Sequence, residues 1–236
     1  MKRPSLSIFF PCYNDAHSIG GLVEKALAVL PTLTDKFEVF VVDDESADGS
    51  QEVLCGLMKK YPKVFRAIFH KKNKGYGGVL KDGFKHAKFD LVFYTDGDGQ
   101  YDVEEFPLLL GLMTKGVDFV NGIKMERQDF AYRVILGNLY ALLMRWVFLL
   151  PIYDVDCDFR LIRRSLLLKL NLKSNSGSIC VELVKKSQRA GARFRQVSIH
   201  HLPRKYGESQ FFRPVRLVKT FAELIPLWWK LMIKRK

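Results

Sequence analysis

Four short segments concentrate the residues able to do chemistry. The most telling is Asp96-Gly97-Asp98-Gly99-Gln100-Tyr101-Asp102, which follows the strongly apolar run Leu91-Val92-Phe93-Tyr94-Thr95. Two carboxylates two residues apart on a turn, with glycines that let backbone approach closely, suit a hard divalent cation with oxygen ligands. Magnesium or manganese bound this way keeps waters and takes further ligands from a substrate diphosphate. The plainer reading is an acidic, glycine-rich turn. A calcium EF-hand is excluded, because the loop lacks the glutamate at position 12 and the flanking helix pair.

The second segment is Val42-Asp43-Asp44-Glu45-Ser46-Ala47-Asp48-Gly49-Ser50. Asp48 or Ser50 is expected to cap the following helix. Capping leaves Asp43 and Asp44 unexplained, and adjacent acids at a strand end can accept hydrogen bonds from a base N–H or from ribose hydroxyls. The third is Pro11-Cys12-Tyr13-Asn14-Asp15. The fourth, Asn73-Lys74-Gly75-Tyr76-Gly77-Gly78, is expected to open a helix and to offer backbone N–H groups to an anion. A dinucleotide fingerprint with Asp96 as ribose acid is the rival reading, but the spacing is not GxGxxG and it leaves Asp98, Gln100, Asp43 and Asp44 without roles.

One fold type places such segments together. Short β-branched and aromatic runs predict strands over Ser5–Phe10, Phe37–Val42, Val64–Phe69, Leu91–Thr95 and Val117–Gly122. Helical patterns fall between them, near Ile19–Leu30, Ser50–Lys60, Gly77–Ala87 and Glu104–Thr114. This alternation is the signature of an α/β fold with a mainly parallel sheet, whose ligands bind beyond the carboxyl ends of the strands. The later pattern predicts a long apolar helix over Tyr132–Leu150, a strand returning to the sheet within Asp154–Arg164, a helix near Ile179–Ala190 and a strand near Phe194–His200.

The chain has 236 residues, enough for one domain with a full core and a C-terminal attachment. Its four cysteines, Cys12, Cys55, Cys157 and Cys180, show no CxxC pair or zinc spacing, so buried thiols in a reducing, cytoplasmic setting are expected. The N-terminal residues lack a signal-peptide core, and secretion is not expected. The net charge of +13 is uneven: residues 1–120 sum to −2 and the remainder to +15. The second half therefore faces something anionic. Nucleic acid is set aside, since acidic strand ends repel phosphate in the absence of a metal.

The order Pro-x-Tyr-Asn-Asp, Val-Asp-Asp-x-Ser-x-Asp-Gly, Asn-x-Gly-x-Gly and Asp-x-Asp-x-Gln resembles the inverting glycosyltransferases of family 2, whose Rossmann-like fold is called GT-A. Asp154-Val-Asp-Cys-Asp-Phe-Arg160 and Pro203-Arg-Lys-Tyr-Gly-Glu-Ser-Gln210 resemble its polyprenyl-phosphate branch, which includes dolichol-phosphate mannose synthases and undecaprenyl-phosphate glucosyltransferases. The resemblance implies that Pro11, Tyr13, Asp15, Val42 and Asp44 contact the nucleotide. It places Asp96, Gly97 and Asp98 at the donor diphosphate, and Asp98 with Gln100 on a magnesium or manganese ion. Lys124, Arg204 and Gln210 would lie near the donor phosphates. There are departures: Asp15 for glutamate, Lys124 for arginine, Gly137 for a serine and Gln210 for lysine.

The implied function is transfer of a hexose from a nucleotide-diphosphate sugar to a dolichyl or undecaprenyl phosphate. A phosphate acceptor needs cations, for which Lys124, Arg127 and Arg133 are candidates. A saccharide or protein hydroxyl acceptor would need a base from Asp154, Asp156 or Asp158, whose plainer role is pairing with Arg160, Arg163 or Arg164. A non-catalytic sugar-nucleotide-binding protein is the alternative of another class. Residues 1–210 would form the transferase domain. Residues 211–236, where Leu217, Phe221, Leu224 and Trp228 recur at helical spacing among basic residues, would form an amphipathic helix on an anionic, cytoplasmic membrane face or packed on the domain. Pro226 is expected to kink or divide it. The apolar helices of the second half also offer a homodimer surface.

Overall fold

The computed structural model describes residues 3–125, 131–206 and 214–234, with residues 131–133, 214–217 and 219 described by backbone alone. Elements follow in the order β1 (Leu6–Cys12), α1 (Ala16–Leu33), β2 (Phe37–Asp43), α2 (Ser50–Lys60), β3 (Phe65–Phe69), α3 (Tyr76–His86), β4 (Leu91–Thr95) and α4 (Phe106–Leu112). Then come β5 (Phe119–Met125), α5 (Ala131–Phe148), β6 (Phe159–Arg163), the single-turn α6 (Arg164–Leu167), α7 (Ile179–Arg189), β7 (Phe194–His200) and α8 (Pro214–Trp228).

Seven strands form one sheet in the order β3-β2-β1-β4-β6-β5-β7. All neighbours are parallel except β6, which runs antiparallel to both β4 and β5. The expected α/β, mainly parallel architecture is therefore the one found. Leaving β1, the chain steps outward to β2 and β3, then returns to the other side of β1 as β4. The crevice at the carboxyl ends of β1 and β4 is thus the topological switch point, where open α/β sheets bind ligands.

Both faces of the sheet are covered. On one, Ile8, Phe10, Val39, Val41 and Phe93 pack under α1, α2 and α4. On the other, Phe9, Phe40 and Tyr94 stack across β2, β1 and β4 at 5.3 and 5.5 Å, beneath α3 and α7. Leu224 and Leu227 of α8, with Leu231 just after it, join this second core.

Some local expectations needed correction. The helix expected over Glu104–Thr114 is a 3₁₀ turn at Val103–Glu105 followed by α4, because Pro107 has no N–H and fits only the first turn of a helix. The cap of α2 is Gly49 at φ 95°, a left-handed position that Asp48 or Ser50 would adopt only under strain. Asp48 still serves the helix start, accepting from Ser50 N at 3.0 Å. Cys55 is exposed on the outer side of α2, whereas Cys12, Cys157 and Cys180 are buried. Pro226 does not divide α8; the missing N–H is followed by a π turn over Trp229–Ile233.

The antiparallel strand carries the most demanding burial. Arg160 is fully buried in the middle of the sheet. Its Nε donates to Asn121 Oδ1 (2.8 Å) and Cys157 O (3.0 Å), its Nη1 to Tyr94 Oη (2.8 Å), and its Nη2 to Val155 O. Asp158 Oδ1 lies 3.4 Å from Nη1 and supplies the counter-charge. Among the described residues only Asp158 makes the arginine pairing expected of the three aspartates, because Arg163 and Arg164 sit at the far end of β6. Arg163 reaches Val117 O and Asp118, and Arg164 reaches Ala87 O. Removing one partner of a buried pair leaves the other uncompensated, so Arg160→Leu should cost about 3–5 kcal/mol in urea unfolding. A loss under about 1 kcal/mol would show that the guanidinium does not organise the sheet.

Candidate functional site

The loops after β1, β2 and β4 converge at the switch point, and each is held by groups the sequence supplies nearby. After β1, Pro11 is buried and Asp15 Oδ2 accepts from Tyr13 N at 3.1 Å, so the loop closes on itself. Asn14 adopts φ 59° and accepts from Ala47 N at 2.9 Å, stitching this loop to the one after β2. After β4, Gly97 is packed so tightly that a Cβ would stand 2.5 Å from Pro11 O; Ser18 Oγ donates to Gly97 O at 2.8 Å. Only glycine permits this contact.

The two acids of the β4 turn are treated differently. Asp98 accepts from Gln100 N (3.0 Å) and is ion-paired with Arg204 Nη2, which reaches back from the segment after β7. That segment is strapped to the turn by Leu202 N to Gln100 O (2.8 Å) and Gln100 Nε2 to Leu202 O (3.2 Å). Asp96 Oδ1 accepts from Tyr76 Oη at 2.7 Å. Burial, with Asp158 and Asp98 close by, pushes the Asp96 carboxyl well above the usual range, and the Tyr76 hydroxyl works against the shift. The Asp15 carboxyl is likewise raised, from 3.8 to about 7, by burial and by Asp98, while Tyr13 N–H and Arg204 oppose the change.

Asp44 is 2 % exposed and is largely occupied by protein donors. Its Oδ1 pairs with His70 Nδ1 (2.6 Å) and accepts from Lys74 N (2.9 Å), and its Oδ2 accepts from Gly75 N (2.9 Å). The anion that the Asn73–Gly78 loop receives is thus the chain's own Asp44. Neither segment alone reveals this, because the partners stand 30 and 31 residues apart. His70, missed in the sequence, is buried beside Asp44; its Nε2 lies 2.9 Å from Asp82 Oδ2 but off the line of a hydrogen bond. Asp43 accepts from Ser46 N (3.2 Å) and Gln51 Nε2 (2.9 Å), and Val42 is buried with its side chain in the second core.

Of the remaining candidates, Lys124 faces the loop before β6, donating to Asp156 O at 2.9 Å with Asp154 Oδ1 3.4 Å away. Burial pushes the Asp156 carboxyl up to about 7, with Lys124 opposing the shift. Arg127, Gln210 and the side chain of Arg133 lie outside the described residues. The structure therefore brings Pro11, Tyr13, Asp15, Asp96, Gly97, Asp98, Gln100 and Arg204 to one crevice, with Asp44 bracing its edge.

The crevice suits a divalent cation in chemistry and in electrostatics. Its donors are hard carboxylate oxygens, and the crowded acids raise one another's pKa, as groups do where a positive charge is wanted. Among the described residues no three His, Cys, Asp or Glu side chains are grouped as a metal cage; Asp96, Asp98 and Gln100 are the residues here that could hold an ion. The raised Asp15 value carries a stability consequence. Between pH 3.8 and about 7 the folded chain keeps a proton that the unfolded chain has lost, so this group's contribution falls as pH rises through that window. Asp15→Asn, melted without added metal, should therefore gain more in Tm over wild type at pH 8 than at pH 5; the reverse order would contradict the shift.

Comparison with known proteins follows the same lines. The family model described as glycosyl transferase family 2 matches residues 7–170. Undecaprenyl-phosphate 4-deoxy-4-formamido-L-arabinose transferase of Yersinia enterocolitica is 26% identical over 224 residues, 95% of this chain and 67% of that protein. The same-named protein of Pseudomonas savastanoi is 29% identical over 220 residues, 93% of this chain and 64% of its own length. The chain thus spans about two thirds of the curated relatives it matches. Glucosyl-3-phosphoglycerate synthase from Mycobacterium tuberculosis, solved with Mn2+, UDP-glucose and phosphoglyceric acid, superposes with a TM-score of 0.73 at 16% identity, over 96% of this chain and 79% of that one. A mannosyltransferase from Pyrobaculum calidifontis, solved with GDP-mannose and Mn2+, gives 0.66 at 21% identity, over 96% and 65%. The fold is the GT-A fold, and the chain belongs to glycosyl transferase family 2.

Proposed function

We propose that the protein transfers a sugar from a nucleotide-diphosphate donor to a polyprenyl phosphate, with inversion at the anomeric carbon. The observation that carries the reading is the pair Asp96 and Asp98 at the switch point, with Arg204 laid across Asp98. The curated relatives' names supply the acceptor class. Their sugar is an arabinose derivative, whereas the hexose expectation finds its support in the glucose and mannose donors of the structural neighbours.

In this reading Pro11, Tyr13 and the backbone at Val42 border the nucleotide, and Asp44 fixes the loop beneath it. Asp96 and Asp98, with Gln100 beside them, would hold a magnesium or manganese ion. Such an ion, when bound, neutralises charge on a leaving diphosphate. In the same reading Arg204, now paired with Asp98, would turn to the donor phosphates. The acceptor phosphate is already ionised at neutral pH, so attack needs orientation and positive charge rather than a protein base. Lys124, Arg127 and Arg133 are assigned that role, and Gln210 the donor side. A hydroxyl acceptor is the second reading; Asp156, raised to about 7, is the carboxylate whose pKa suits a general base.

Residues 1–210 would form the transferase domain. The membrane reading of the 211–236 attachment draws on α5 as well as α8. The two helices meet through Tyr140 and Phe221 (6.0 Å between centroids) and through Trp228 Nε1 donating to Val147 O (2.9 Å). Leu139, Trp146, Ile225 and Trp229 nevertheless remain 51–75% exposed. Among the described residues no helix is long and apolar enough to cross a membrane. An exposed apolar face with tryptophans and flanking Arg145 and Lys230 fits the interface of an anionic, cytoplasmic leaflet. The same face would serve a homodimer.

Release of nucleoside diphosphate from UDP- and GDP-sugars, with Mn2+ or Mg2+ and with or without undecaprenyl or dolichyl phosphate, tests the reaction. Release should require both metal and lipid phosphate, and Asp98→Ala should lower it about 100-fold or more without unfolding the chain. Release driven only by a saccharide hydroxyl would replace the lipid acceptor, and full activity in Asp98→Ala would remove the metal assignment. Trp146→Glu with Ile225→Glu should weaken sedimentation with anionic vesicles about tenfold; unchanged binding with loss of a dimer would move the face to self-association.

A further inference from the structure

We propose that Tyr76 is a positioning residue for the donor site, fixing the carboxylate of Asp96 so that one oxygen is committed to the protein and the other is presented to the donor. The inference rests on the reading that Asp96 faces the donor diphosphate. It adds a residue that neither the acidic motifs nor the resemblance assigns.

The hydroxyl of Tyr76 donates to Asp96 Oδ1 at 2.7 Å, a well-formed O–H···O bond. Among the described residues it is the hydrogen-bond partner of that carboxylate. A phenol has one proton to give.

The root of the side chain is held from two directions. Tyr76 opens α3 directly after Gly75, whose N–H, with that of Lys74, is bound to Asp44. On the other side Gly77 N donates to Asn175 O at 3.0 Å. A Cβ at Gly75 would stand 2.5 Å from Asn175 O, and one at Gly77 2.4 Å from Ser174 O, so both glycines are needed for this contact. The 173–178 loop is itself tied down. Buried Glu182 accepts from Lys173 N and Ser174 N, and Glu223 of α8 accepts from Ser176 Oγ (2.6 Å) and Ser178 Oγ (3.0 Å). A phenol so anchored cannot follow Asp96 if the carboxylate turns; instead it holds the carboxylate still. The C-terminal helix thereby reaches the donor site through a continuous set of bonds.

The competing role is plain packing, since the Tyr76 ring also contacts the second core. Tyr76→Phe keeps the ring and removes the bond. Calorimetric titration with UDP and with GDP, in the presence of Mn2+, should show binding about tenfold weaker than wild type, with an unchanged melting temperature. Introduced into Asp96→Ala, which removes the accepting oxygen, the same substitution should change affinity less than twofold, because its target is gone. Wild-type binding with an unaffected Tyr76→Phe variant, or an equal loss in both backgrounds, would overturn this inference alone. Absence of nucleotide binding by the wild-type chain would overturn the functional reading and this inference with it.

Discussion

A buried guanidinium governs how the acidic end of the sheet can exist. Arg160 lies on the one antiparallel strand and is bonded to β4 through Tyr94, to β5 through Asn121 and to the preceding loop through two carbonyls. It is also the counter-charge of Asp158, which in turn raises Asp96. Burial disfavours a charged arginine, yet Tyr94 and Asp158 outweigh that effect and hold its pKa above the ordinary value. Asp158, the acid nearest Asp96 from the interior, is thus held against a positive charge inside the sheet. Asp15 and Asp98, at the crevice itself, have Arg204 as the neighbouring cation.

The same economy recurs at the edge of the crevice. Asp44 accepts the N–H groups at the start of α3 and so joins the loop after β2 to the loop after β3. Its capacity is then mostly spent, which makes it a brace for the edge of the crevice. Tyr76, two residues further on, carries this rigidity to Asp96. The geometry of the crevice thus depends on bonds between loops, each closed by a short acidic or glycine-rich turn at a strand end.

Much of this was legible in the sequence. The run Leu91–Thr95 is the observed β4 residue for residue, because a buried parallel strand bounded by a glycine-rich acidic turn leaves little ambiguity. The acids of the crevice were found because charges directly after apolar strands have few structural reasons to be there. What escaped were partnerships: Asp44 with His70, Asp96 with Tyr76 and Arg160 with Tyr94 are separated by 26, 20 and 66 residues. A histidine or tyrosine at a strand or helix end carries no signal of which carboxylate it will meet. Within Asp154–Arg164 only Phe159–Arg163 is strand, since the earlier residues curl around the arginine.

In the proposed mechanism the crevice is an incomplete cation site, made whole by a donor diphosphate. Calorimetric titration of Mn2+ into the protein, alone and with saturating UDP or GDP, tests it most directly. Because only Asp96 and Asp98 are offered as charged ligands, Mn2+ should bind weakly by itself and at least tenfold more tightly with the nucleotide present. Tight Mn2+ binding that ignores the nucleotide, or no binding in either state, would contradict the account.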